Sequence, residues 1–316
     1  MGNPLAKRLI AGFVRGLPPR VRKALLRELC NRAAAREGYE AFQLLGRRFG
    51  IADLRVPGDC GVIEGALADT AILATYAQTR RWSASLNHVV DAFFETRDSG
   101  TYIDIGANIG LTTIPIARHA AISCKAFEPE PQTFRYLTTN LRHNCTAGNV
   151  EPFNLALSDR HGTIAFELAD DNLGDNRIHL TDDEGSFGEA KRRVITVPTD
   201  RLDDVLGVAH LARPIAVKID TQGAECRVLD GGRSVLDAAS IITFEFWPYG
   251  MRRMASDPAS LISFIATRFS DGALVNGDAN EMPVWQPIDD VVGRLGAFTH
   301  ESRDKPYATC DVIVRK

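Results

Sequence analysis

The chain has 316 residues, 37 Lys+Arg against 40 Asp+Glu for a net charge of -3, and 45% hydrophobic residues. That composition supplies core material for one large globular domain or two, and excludes a disordered tail, a collagen-like chain and a disulfide miniprotein. No apolar run reaches the roughly 20 residues of a membrane span, and the six scattered cysteines include no CxxC pair, which argues against a zinc site and for reduced thiols in a cytoplasmic setting.

Charge is distributed unevenly. Residues 1–55 carry 12 Lys+Arg and four acids, a net of +8 on an otherwise acidic chain. Leu5, Leu9 and Val14 fall near one helical face beside Lys7, Arg8 and Arg15. Pro18-Pro19 ends that piece, and helical spacing resumes from Val21 to Phe49. Residues 1–55 therefore read as a basic helical extension. Two readings stay open: a cap or homo-oligomer contact on the acidic body, or a peripheral contact with an anionic membrane. Nucleic acid is not expected, because no aromatics are interleaved with the basic residues.

Residues 56–99 read as a strand and helix lead-in. Gly58, Gly61 and Gly65 punctuate short strands at Val62-Ile63 and Ala71-Ile72-Leu73, and a helix is expected from Thr75 to Phe94. From Gly100 to 316 strands and helices alternate, which predicts a parallel sheet with right-handed crossovers. The expected strands are 101–105, 122–127, 150–157, 214–220 and 240–246, with 272–276 and 308–314 as the last two. Expected helices are 111–119, 131–144, one beginning at 202, one from 224, and 258–269. An acidic, glycine-containing insertion over 159–196 carries a hairpin near Gly162.

The strand 101–105 turns into its helix through Asp104-Ile-Gly106-Ala-Asn108-Ile-Gly110. Glycine there lets the backbone approach a ligand, and a helix N-terminus presents free N–H groups. Glu128 follows the second apolar strand, 22 residues after Gly106. An acid at that distance is placed to accept the hydroxyls of a ribose, whereas Glu130 better suits capping the helix that Pro131 opens. The GxGxxG dinucleotide pattern fails at Asn108 and Leu111, and no GxxxxGK[ST] loop is present, so a nicotinamide oxidoreductase is the weaker alternative.

Five stretches recur in order: Tyr102–Thr113, Ala126–Pro131, Ala156–Asp159, Thr199–Asp204 and Val217–Glu225. Together they resemble the FkbM-type methyltransferases over roughly residues 56–250. The Lys-Ile-Asp-Thr-Gln-Gly-Ala-Glu run is the specific part; Gln222 stands where many relatives have Glu. The resemblance implies a Rossmann-like class I methyltransferase fold with a seven-stranded, mostly parallel sheet. It implies S-adenosyl-L-methionine as cofactor, with Gly106, Asn108 and Gly110 at its methionine part, Asp104 holding the loop, and Glu128 on the ribose. Ala156, Leu157, Ser158 and Asp159 would border the adenine. The expected reaction is O-methylation of a sugar, glycolipid or secondary metabolite; a non-catalytic partner protein is a further alternative.

Methyl transfer to oxygen requires a placed hydroxyl and a group to take its proton. Lys218 and Asp220 share a side-chain direction on strand 214–220, and Glu245 ends the next strand. A charged pair on an apolar strand is costly unless paired, so these three are the catalytic candidates. Either one carboxylate is the general base, or Asp220 and Glu245 hold a divalent metal. Trp247, Tyr249 and Met251 would suit an acceptor wall, and His179 is a candidate base in the insertion.

Overall fold

The computed structural model describes residues 17–24, 39, 43, 46, 48–275 and 283–316. The expected helix over Leu5–Val14 and most of the helical pattern before Phe49 lie outside the described residues.

β1 (Asp53–Gly58) and β2 (Gly61–Ala66) form an antiparallel hairpin. The chain continues through β3 (Gly100–Ile105), β4 (Ile122–Phe127), β5 (Val150–Phe153), β6 (Ala156–Leu157), β7 (Gly162–Leu168), β8 (Arg177–Ile178) and β9 (Arg193–Asp200). It closes with β10 (Ile215–Ile219), β11 (Ile241–Phe246), β12 (Asp271–Val275), β13 (Gln286–Pro287) and β14 (Cys310–Arg315). The main sheet has eight strands in the order β13-β12-β14-β11-β10-β3-β4-β5. β5, β4, β3, β10 and β11 run parallel, and β14, β12 and β13 pair antiparallel at one side. The expected seven strands are there, and the two-residue β13 is added at the edge.

β3 and β10 are buried along their whole length, as a strand covered on both faces must be. Their adjacency also places the switch point. From β3 the chain moves outward to β4 on one side, while β10 leads to β11 on the other. A crevice opens beyond the carboxyl ends of strands so connected. The hairpin is tied to this body by Asn140 of the helix Pro131–Asn144. Its side chain accepts from Glu64 N at 2.7 Å and donates to Glu64 O at 2.8 Å and Ile109 O at 2.9 Å.

Three local expectations change. Ala71–Leu73 is not a strand, because the buried Asp69 carboxylate accepts N–H from Ala71 at 3.0 Å, Ile72 at 3.2 Å and Leu73 at 3.0 Å. Those bonds start the helix Ile72–Thr79, and left-handed residues at Arg80 and Ser83 separate it from the helix Ala84–Phe94. The strand expected over 150–157 is cut at Asn154, whose Nδ2 donates to Glu128 O and Pro129 O, both at 2.9 Å. Its second half becomes β6 of a separate sheet, ordered β6-β9-β7-β8. The helix Ile288–Glu301 had no counterpart in the sequence reading; it buries Ile288, Val291 and Leu295.

Candidate active site

The main cleft lies at the carboxyl ends of β3, β4, β10 and β11 and encloses about 1040 Å³, open mouth included. The loop after β3 forms its floor. Gly106 has φ +81°, and a Cβ there would stand 1.9 Å from the Asp220 carbonyl oxygen. Only glycine allows β3 and β10 to end this close. Gly106 N and Ala107 N donate to Phe127 O at 3.1 and 2.9 Å, which lashes the loop to β4. Asp104 is fully buried beneath it and accepts from Thr112 and Thr113 hydroxyls, both at 2.6 Å. Gly110 also has positive φ, but it faces Leu137 of the helix Pro131–Asn144 and is a packing glycine rather than a cleft residue.

Asn108 adopts φ +49° and donates its backbone N–H to Glu128 Oε2 at 3.0 Å. Glu128 Oε1 accepts from Glu130 N at 2.9 Å. The Glu128 carboxyl thus stands at the end of β4, in the cleft wall and almost out of water. Burial pushes its pKa up to about 8, with the Glu130 charge adding to the rise; the N–H groups of Glu130 and Asn108, and Lys218, act the other way. Glu130 instead caps the helix, accepting from Thr133 N at 2.6 Å.

The β10–β11 side of the cleft is acidic. Lys218 Nζ donates to Gly106 O at 3.1 Å and pairs with Asp220 at 3.3 Å and Asp104 at 3.5 Å. Burial works against its charge, but Asp220 and Asp104 outweigh it and hold the ammonium above its ordinary pKa. Lys218 is therefore a fixed cation joining the loop to β10. Gln222 Nε2 donates to Asp220 Oδ1 at 2.9 Å and Glu245 Oε2 at 2.8 Å. Desolvation, then the charges of Asp220, Glu225 and Asp311, drive the Glu245 pKa well above the carboxylate range. Asp311 lies opposite Glu245 in the β11–β14 register and lines the same cleft. Buried Glu225 Oε1 accepts from Thr221 N at 2.9 Å and Gly223 N at 3.2 Å, fixing the turn after β10. Among the described residues no group of three or more His, Cys, Asp or Glu is arranged to hold a metal.

Other candidates fall elsewhere. Ala156 and Leu157 line the cleft, but Ser158 and Asp159 do not: Ser158 is buried and bonded to Asp159, which pairs with Arg227 at 3.3 Å. Trp247, Tyr249 and Met251 do not form its wall. Trp247 Nε1 donates to Pro306 O at 2.6 Å, Met251 is fully buried, and Tyr249 OH donates to Glu189 at 2.8 Å. His179 is held between Glu167 at 3.0 Å and Asp182 at 3.2 Å, away from the cleft. The sequence reading missed Trp82, Phe166, Asn176, Thr243 and Asp311, all of which line it. Asp311 carried one usable signal, an acid interrupting an otherwise apolar terminal strand.

The Methyltransferase FkbM domain matches residues 104–268. The hexuronic acid methyltransferase AglP of Haloferax volcanii is 30% identical over 151 residues, 48% of this chain and 57% of that protein. The 2-O-methyltransferase NoeI of Sinorhizobium fredii is 29% identical over 158 residues, covering 46% of this chain and 62% of that one. The chain thus spans less than two thirds of the length of these relatives. Among solved structures, M. jannaschii TYW2 in complex with AdoMet overlaps at TM-score 0.40 and 12% identity, covering 84% of this chain and 85% of that one. With the matched segment running from Asp104 through the cleft strands to Arg268, the chain belongs to the FkbM methyltransferase domain family.

Proposed function

We propose that the protein is an S-adenosylmethionine-dependent O-methyltransferase whose acceptor is a sugar hydroxyl. The observation that carries this is the cleft's polarity: a glycine loop flanked by a buried carboxyl on the β4 side and a Lys–Asp–Gln–Glu cluster on the β10 side. The residues present fit the cofactor. Glu128 keeps acceptor lone pairs beyond its two backbone bonds, which suits ribose hydroxyls, and the Gly106 loop brings bare backbone to the cleft floor. Apolar Leu157, Phe166 and Ile178 suit the adenine face. When bound, the cofactor supplies an electrophilic methyl group on a sulfonium.

In this reading Asp220, the more exposed carboxylate, takes the proton of the acceptor hydroxyl as the new carbon–oxygen bond forms. Lys218 holds Asp220 and the Gly106 carbonyl in register, so the reacting oxygen is placed against the loop. The sugar assignment draws on the names of the two relatives, one acting on a hexuronic acid and one a 2-O-methyltransferase. Transfer of radiolabelled methyl from S-adenosylmethionine to a panel of uronic and neutral sugars tests it. Label in a sugar product supports the reading; label entering none of the hydroxyl acceptors, with cofactor bound, overturns the acceptor class.

A further inference from the structure

The turn Thr221–Gly223 aims one neutral side chain between two acids. Gln222 has φ +56° and Gly223 φ +105°, and a Cβ on Gly223 would stand 2.4 Å from the Gly250 carbonyl carbon. Glu225 locks this shape from behind through Thr221 N, Thr221 Oγ1 and Gly223 N. A long side chain in left-handed backbone is unusual and calls for a reason beyond the turn itself. Here the reason lies in the amide. A carboxamide nitrogen has two N–H donors, and Gln222 spends both, on Asp220 Oδ1 at 2.9 Å and Glu245 Oε2 at 2.8 Å. Asp220 Oδ1 and Glu245 Oε2 thus both accept from the one amide nitrogen. Gln222 itself lines the cleft.

We propose that Gln222 is a positioning residue that cross-links Asp220 to Glu245, filling with a neutral double donor the place a bridging cation would take. Two acids this near one another otherwise repel or recruit a counter-charge. The amide supplies attraction to both without adding charge, and Lys218 meets the other Asp220 oxygen at 3.3 Å. The cross-link keeps the Asp220 oxygen that meets the acceptor hydroxyl in one orientation. This rests on the O-methyltransferase reading for its kinetic consequence, but its geometric consequence is independent of it.

Two full-length variants separate the two. Gln222→Met keeps the length and loses both donors: kcat for methyl transfer should fall at least tenfold, with the cofactor KM within twofold and the melting temperature within a few degrees. Gln222→Glu replaces the amide with a third carboxylate. It should gain Mn2+ binding, followed by electron paramagnetic resonance of the free ion, that the wild-type protein lacks. Wild-type kcat in a folded Gln222→Met, or Mn2+ affinity in Gln222→Glu no greater than in wild type, overturns the proposal. If Gln222→Met does not fold, or if the wild-type protein transfers no methyl group, the Mn2+ arm alone decides the cross-link. In the second case the methyltransferase reading falls separately.

Discussion

Single atoms decide this site. Gly106 is the clearest case, since one methyl group at that position would collide with the Asp220 backbone. Gly106→Ala should cost about 1–3 kcal/mol from backbone strain alone, seen in urea unfolding, and should abolish S-adenosylhomocysteine binding. Unchanged stability and affinity would mean the two strand ends are not so close. Asp220→Asn should lower kcat by roughly 10²–10⁴-fold, as loss of a general base does, with cofactor KM unchanged. Full turnover in that variant removes Asp220 from proton transfer. Glu128 gives a pH signature. Its pKa is raised to about 8 by burial, so the folded state favours the neutral acid and the charged form is the costly one. Its stabilising contribution is therefore full below the ordinary value near 4.5 and is lost as pH rises to about 8. Ribose hydroxyls donate to the charged form, so cofactor affinity should move the opposite way. Affinity for S-adenosylhomocysteine should climb between pH 6 and 8 and level off above, and Glu128→Gln should flatten the slope in calorimetry.

The small sheet beside the main one combines an apolar cluster, with Ile164, Phe166, Ile178 and Val197, and a buried charge network. The Arg177 side chain is wholly buried and bonds Glu167 at 2.9 Å, Asp175 at 2.6 Å and Glu189 at 2.8 Å. Phe166 of β7 and Ile178 of β8 bring that sheet to the cleft wall. Arg177→Met would remove the buried cation shared by three carboxylates, which keep Arg192 and Arg253 as partners, so it should destabilise the protein by about 1.5–3 kcal/mol and weaken cofactor binding together with it. A melting temperature equal to wild type would show that the network contributes little. Elements differ in how far the sequence betrays them. β3, β10 and β11 are continuous apolar runs because both faces are covered, and their bounds were readable within a residue or so. Segments decided by one polar side chain were not. Asp69 turns Ile72–Leu73 from strand to helix, and Asn154 diverts the chain from β5 to β6. The helix Ile288–Glu301 was hidden because Gly293 and Gly296 interrupt a pattern that only packing completes.

At the scale of the whole molecule, the site was legible where it is contiguous in sequence and opaque where it is assembled from distant strands. The glycine loop, Glu128 and the Lys218–Glu225 run each lie in one short stretch. Trp82 and Asp311 reach the same cleft from opposite ends of the chain, and only the fold brings them together. Ser158 and Asp159 were misplaced because the chain leaves the cleft one residue after Leu157. Among the described residues no helix is long and apolar enough to cross a membrane. The basic segment 1–55 keeps its two readings, and sedimentation of the full chain with anionic liposomes at low and high salt distinguishes them. Salt-sensitive pelleting supports the membrane contact; retention in the supernatant, with loss of oligomeric state or solubility on truncation at residue 56, supports the cap. The central claim is that the cleft over Gly106 and Glu128 is a cofactor site, and calorimetry with S-adenosylhomocysteine tests it most directly. The wild-type protein should bind one equivalent, and Glu128→Ala should weaken that binding by tenfold or more, since each lost bond to the charged carboxylate is worth about 1.5–3 kcal/mol. No heat of binding in the wild-type protein, or equal affinity in the two, would contradict the account.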